Sequence, residues 1–294
     1  MNIIFKGHSD WIREPHDLSI LWNIEKNIRV HNLDPKEADV DDKDYNIYFD
    51  SNEPNWMSDP VSQSFFEKMD LILTRKPELM SIPNSELFLY GATWMDDPES
   101  LIENKKEAVS FTLTAKRMPV IEDESSIPDG YAMRHHFAEC LEVYREICPI
   151  LIDGYDSSQH PSGYPSLNMK LDAKHGDRST LMNYMFNVAI ENTRKNHENY
   201  FTEKLVDCLL TKTVPIYFGC PNIGDHFNTD GILIFENENQ LQDILSNLSA
   251  DKYHSMKDAI EENYEKAGEY RKFFGTRLWN KVESCYIKTK GNEK

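Results

Sequence analysis

The chain has no long apolar run, no excess of positive charge, and few cysteines. The opening residues, Met1 to His8, turn polar too soon for a signal peptide or a membrane anchor, so a cytoplasmic protein with no integral membrane segment is expected. Lys and Arg number 32 against 50 Asp and Glu, and 32 − 50 gives −18. That balance argues against nucleic acid and anionic membrane surfaces as partners. Any pocket for an anionic ligand would have to be a local basic island in an acidic protein. The five cysteines (Cys140, Cys148, Cys208, Cys220, Cys285) are odd in number and form no C-x-x-C pair. They read as reduced thiols, with no structural zinc expected. Neither a G-x-S-x-G, an H-E-x-x-H nor a P-loop is present, which leaves a generic hydrolase little support. Repeats and low-complexity stretches are also absent, and 294 residues leave room for two ordinary domains.

What is present centres on residues 186–227. Phe186, Val188 and Ile190 alternate with Asn187 and Ala189 as a strand. Residues 191–199 are almost wholly polar, the composition of an exposed working loop. Asn199 or Thr202 can cap the helix that follows, whose buried side is Leu205, Val206, Leu209 and Leu210. Val214 to Phe218 is a second buried strand, stopped by Gly219 and Pro221. A strand-loop-helix-strand unit of this kind belongs to an open α/β sheet, where ligands sit at the carboxyl ends of the strands. Tyr200, Glu203 and Lys204 are spaced i, i+3, i+4 and would share one helix face. A cation and free N–H groups at a helix start suit a phosphate, and a carboxylate there suits sugar hydroxyls. An ordinary solvated Glu–Lys face has the same spacing.

The first half reads as strands near residues 2–5, 45–50, 70–74 and 86–90, with a helix over 17–27 and a short helix or turn over 77–82. Strands alternating with helices indicate a parallel-sheet layer. Asp39-Val-Asp41 and Asp42-Lys-Asp44 spell D-x-D. They precede a strand instead of ending one, so they read as a solvated loop and not as a metal site. Glu53, after the strand ending at Asp50 and fixed by Pro54, suits a general base, with Asp50 the fallback. Among Trp56, Phe65, Phe66 and Trp94 one residue is a candidate for stacking on a sugar.

In the second half a strand is expected over 108–115, a helix over 131–146, a strand over 149–153, a loop over 154–168 and a short strand over 231–235. Helical stretches follow over 238–248 and 252–274, with a terminal helix over 279–287 that could cross back to the first domain. Arg134 falls in the first turn of its helix, where the dipole gives a cation no benefit, so an anionic partner is expected there. His135 and His136 read as helix-surface residues.

Three blocks, Phe186 to Thr193, Asn199 to Leu205 and Val214 to Gly219, resemble the C-terminal signature of the family 10 glycosyltransferases, the α-1,3/1,4-fucosyltransferases. Arg134-His-His-Phe137 resembles the R-x-x-[FY] element of that family, and Arg178 takes the place of a family lysine. Met185, Thr193 and the surroundings of Thr114 depart from the family pattern, which bears on the donor sugar. The resemblance implies an α/β, GT-B-like fold, two Rossmann-like domains facing across a cleft: an acceptor side over 1–104, a nucleotide-sugar side over 105–275, and a terminal helix and tail over 276–294. It implies an inverting transfer of fucose from GDP-fucose to a carbohydrate hydroxyl, with no cofactor and no obligate metal. The partners are then a nucleotide sugar and an oligosaccharide acceptor, and nothing in the sequence speaks to the oligomeric state. Arg134, Arg178, Asn192, Tyr200, Glu203 and Lys204 would bind the donor, and Glu53 would deprotonate the acceptor, with Glu203 also placed at the reacting sugar. The alternatives are the same fold using another nucleotide sugar, and a binding relative without turnover.

Overall fold

The computed structural model describes residues 3–6, 24–32, 36–50, 62–114, 129–158, 163–167, 169–171, 178–194, 197–271 and 274–292. They fall into two compact units, 1–90 with 272–294, and 91–271.

The first unit holds a parallel sheet of β1 (Ile3–Lys6), β2 (Ile28–His31), β3 (Tyr45–Phe49), β4 (Leu71–Thr74) and β5 (Ser85–Leu87), in that order. Every residue of β3 and β4 is buried, as strands covered on both faces require. Ser62 caps the short helix α1 (Gln63–Phe66), which buries Phe65 and Phe66 edge-on against Tyr48. Of the helix expected over 17–27, only 24–27 are described, and these are not helical. Glu53, Pro54 and Trp56 lie outside the described residues. The D-x-D stretch is only partly solvated. Asp44 is buried and pairs with Arg29 at 2.6 Å, with Asp41 3.6 Å from the same guanidinium. Asp50 is also committed, accepting from Thr74 at 3.0 Å and pairing with Lys76 at 3.1 Å.

The second unit holds β6 (Lys106–Leu113), α2 (Asp129–Glu139), α3 (Leu141–Ile147), β7 (Leu151–Asp156), β8 (Met169–Lys170), α4 (Ser179–Met182), β9 (Tyr184–Ile190), α5 (Glu203–Leu210), β10 (Val214–Phe218), β11 (Leu233–Ile234), α6 (Glu238–Ser246), α7 (Ala250–Ser255) and α8 (Lys257–Ala267). The strand order is β11-β10-β9-β6-β7-β8, all parallel. The core beneath it gathers Phe111, Phe137, Tyr144, Phe186, Ile216 and Leu241. Order reverses between β6 and β9, and such a switch point opens a crevice at the carboxyl ends of the two strands. The first sheet runs in chain order with no such reversal among its described strands.

Residues 91–104 pack with the second unit, a different division from the sequence boundary at 104/105. The reason is local: the Thr93 hydroxyl and the Trp94 N–H both donate to Asp207 on α5, at 2.7 and 3.3 Å. The last helix, α9 (Phe274–Asn292), belongs to the first unit. There Lys281 reaches Glu86 at 2.7 Å, Arg277 donates to the Leu89 carbonyl, and Tyr286 packs edge-on against Tyr45. The helix expected over 131–146 is two helices, because Cys140 leaves helical geometry (φ −90°, ψ 5°) between α2 and α3. No described helix is long and apolar enough to cross a membrane.

Candidate functional site

The switch point of the second sheet is bordered by α2, which follows β6, and by residues 191–194, which follow β9. The polar segment after β9 is not an exposed loop at its start. Glu191, Asn192 and Thr193 are all buried, at 0, 5 and 4 % exposure. Two contacts pin them. The Asp129 carboxylate, at the start of α2, accepts from the Thr193 hydroxyl at 2.7 Å and from the Arg194 N–H at 2.8 Å. Gly130 then lets the helix approach the strand end, since a Cβ there would lie 1.9 Å from the Glu191 carbonyl oxygen.

That approach brings together two of the expected site residues, 58 positions apart in sequence. Arg134 donates from NH2 to Asn192 Oδ1 at 2.7 Å and lies over the Tyr131 ring at 4.3 Å. Because α2 already begins at Asp129, Arg134 is in its second turn and not its first. Its guanidinium reaches back toward the helix start, donating from Nε to the Gly130 carbonyl at 3.4 Å. His135 and His136 are half-buried and engaged, His135 with the Tyr164 hydroxyl at 2.7 Å and His136 with Glu238 at 3.1 Å.

On the other side of β9 the helix α5 starts at Glu203, capped by Thr202 in extended geometry (φ −125°, ψ −166°). Tyr200 therefore precedes the helix, and the expected shared face of Tyr200, Glu203 and Lys204 does not form. Asn199 turns the chain in the left-handed region (φ 59°), held by Asn222 Oδ1 on its N–H at 2.8 Å and by His226 on its side chain at 2.9 Å. The Tyr200 ring is consequently buried, at 1 % exposure.

The start of α5 is a packed ionic cluster. Glu191 accepts from the Thr202 N–H and hydroxyl at 2.8 and 2.7 Å, and Lys204 lies 3.7 Å from its Oε2 and 3.2 Å from Glu203 Oε1. Arg178 faces Asp207 Oδ2 at 3.2 Å and Glu203 Oε1 at 3.8 Å. Among the described residues two cations thus meet three carboxylates at this helix start, so these side chains do not by themselves form the basic island expected for a diphosphate. Burial offsets part of the imbalance by favouring neutral acids. It pushes the Glu191 carboxyl above its ordinary range, and pushes Asp207 up to about 7 despite the Arg178 charge. Burial acts on Glu203 in the same direction, but the Lys204 and Arg178 charges outweigh it and hold this carboxyl below the usual range. Glu203 is the acid kept ionised here.

Sequence reasoning missed Glu191 and Asp207. The signals were there: Glu191 directly follows the apolar run Val188-Ala189-Ile190, and Asp207 lies among Leu205, Val206, Leu209 and Leu210 on a short helix. Of the stacking candidates, Phe65 and Phe66 are core residues, whereas the Trp94 side chain is 56 % exposed. Glu53 cannot be placed among the described residues.

Residues 142–285 match the model of the glycosyltransferase family 10 (fucosyltransferase) C-terminal domain. An α-(1,3)-fucosyltransferase FucT of Helicobacter pylori is 30 % identical over 112 residues, which are 37 % of this chain and 23 % of that protein. The aligned region thus spans under a quarter of that relative. A crystal structure of an α1,3-fucosyltransferase with GDP-fucose is 18 % identical, covering 80 % of this chain and 69 % of that one, with a TM-score of 0.47. An α,α-trehalose-phosphate synthase (UDP-forming) from Burkholderia vietnamiensis, at 9 % identity, covers 92 and 73 % with a TM-score of 0.54. This last likeness bears on fold alone, and agrees with the GT-B-like pair of parallel-sheet α/β units. The likeness to the glycosyltransferase family 10 (fucosyltransferase) C-terminal domain thus spans residues 142–285, just under half of the chain.

Proposed function

We propose that the protein moves fucose from GDP-fucose to a hydroxyl of a carbohydrate acceptor, with inversion at the anomeric carbon and no obligate metal. The observation that carries this reading is the Arg134–Asn192 hydrogen bond at the switch point, beside strand and helix blocks that lie inside the fucosyltransferase match. In the proposed reaction the acceptor oxygen attacks from the face opposite the leaving diphosphate. The largest electrostatic demand is the charge that builds on GDP, which Arg134 and Lys204 would meet. Arg134 needs only to exchange its Asn192 contact for phosphate oxygens. Lys204 would exchange carboxylate neighbours for the diphosphate, and the raised affinity of Glu191 and Asp207 for protons lowers the opposing charge. Asn192 and Tyr200 would shape the donor pocket, Arg178 would hold the α5 cluster in register, and ionised Glu203 would accept from ribose or fucose hydroxyls. Glu53 is proposed as the base, because Asp50 is held by Thr74 and Lys76.

The test is a glycan array supplied in turn with GDP-fucose, GDP-mannose and UDP-sugars, with the product anomer assigned by NMR. Transfer from GDP-fucose, lost in Glu53→Gln, is expected. Transfer from a UDP-sugar alone overturns the donor, and full activity in Glu53→Gln overturns the base.

A further inference from the structure

Away from the switch point, a second set of ligating side chains converges where α2 gives way to α3 and where α6 begins. His136 and Cys140 are four residues apart, and Glu238 is the first residue of α6. His136 Nε2 lies 3.1 Å from Glu238 Oε2 and 3.8 Å from Cys140 Sγ. One donor atom from each of the three lies within 4.8 Å of the others. An ion held tetrahedrally at about 2.0–2.3 Å from N, O and S ligands sets those ligands about 3.3–3.6 Å apart, and the His136–Glu238 and His136–Cys140 pairs lie within a few tenths of an ångström of that spacing.

We propose that His136, Cys140 and Glu238 bind one divalent cation of the zinc class, stapling the α2–α3 junction to the start of α6. Three features of the surroundings favour it. Glu238 is oriented from behind: its Oε1 accepts from Gln242 at 3.0 Å and from the Tyr144 hydroxyl at 3.5 Å, leaving Oε2 toward His136. The three ligands are each half-buried, which leaves an entry path and a fourth position for water. The helices they join already pack over one core through Phe137, Tyr144, Leu241 and Leu245, so the ligand backbones are fixed before an ion arrives. A thiolate, an imidazole and a carboxylate together select zinc, or cobalt as its probe, over magnesium and calcium, which prefer all-oxygen shells. The ion has no part in sugar transfer and stands independently of that reading.

The experiment titrates Co²⁺ into the intact protein and follows absorption, with Zn²⁺ equilibrium dialysis in parallel. One equivalent of each metal is expected, with a near-ultraviolet thiolate-to-cobalt band and the visible bands of a four-coordinate site. Cys140→Ser should abolish the near-ultraviolet band, and His136→Ala and Glu238→Gln should each weaken Zn²⁺ binding at least about tenfold. The wild-type chain supplies a readout free of folding effects. Cys140 is the half-buried cysteine, the other four being buried, so Zn²⁺ should protect it from alkylation, read by peptide mass spectrometry. Absence of stoichiometric binding, an unchanged band in Cys140→Ser, or alkylation of Cys140 unaffected by Zn²⁺ would each overturn the assignment and leave an ordinary His–Glu ion pair.

Discussion

Replacing Arg178 by Met should destabilise the protein by an amount that depends strongly on pH. Asp207 is 0 % exposed, and its Oδ2 faces the Arg178 Nε at 3.2 Å, while Oδ1 takes the Thr93 and Trp94 donors. Burial already raises this carboxyl from 3.8 to about 7 with the guanidinium in place. Without that charge it rises further. The sign follows from linkage. A carboxyl whose folded pKa is raised contributes stability that is complete below about 3.8 and is lost as pH climbs through the folded pKa. At pH 5 Asp207 carries its proton in both proteins, so the variant loses the close contact to a neutral acid and one of the two cations facing ionised Glu203, about 1.5–3 kcal/mol. At pH 8 the wild type holds a paired ion, but the variant must either bury a bare carboxylate or protonate it, at about 3–5 kcal/mol. Urea unfolding at the two pH values measures the difference. Adding Asp207→Asn to Arg178→Met should flatten the dependence. An equal cost at pH 5 and pH 8 would refute the reasoning.

Three further outcomes are expected. Gly130→Ala places a methyl group 1.9 Å from the Glu191 carbonyl oxygen, and neither backbone can yield cheaply. It should cost about 1–3 kcal/mol in thermal unfolding and weaken nucleotide binding by parting Arg134 from Asn192. Lys105, whose ammonium donates to Thr213 Oγ1 at 2.9 Å and to the Met182 carbonyl, is pulled down to about 7 by burial. Wild-type stability should therefore rise between pH 7.5 and 9 by up to about 2 kcal/mol, a rise that Lys105→Met removes in chemical denaturation. Thr202→Ala removes the α5 cap and one partner of buried Glu191, so about 1–3 kcal/mol should be lost in the same assay, where a change under 0.5 kcal/mol would contradict the cap assignment.

The buried strands were legible because parallel strands covered on both faces carry nearly continuous apolar residues, as in Tyr45–Phe49 and Val214–Phe218. The α5 cap was legible as one of two residues able to serve, and Thr202 serves. The break at Cys140 was not, since no Gly or Pro marks it and the apolar spacing runs on through Leu141 and Tyr144. Tyr200 was misplaced because i, i+3 spacing describes a helix only after its cap, and the chain turns at Asn199 first. Arg134 and Asn192 could be singled out separately, but their contact depends on strand order, which local periodicity does not encode. Glu191 and Asp207 escaped notice because charged residues are read as solvated unless the partners that bury them, here Thr202, Lys204 and Arg178, are known.

The central claim is that the crevice beside Arg134 and Lys204 receives a guanine nucleoside diphosphate. Calorimetric titration of GDP into the wild type and into Lys204→Ala tests it most directly. The account predicts saturable binding that weakens about 10–100-fold in the variant, the equivalent of one charge-assisted hydrogen bond. Equal GDP affinity in the two proteins would contradict it.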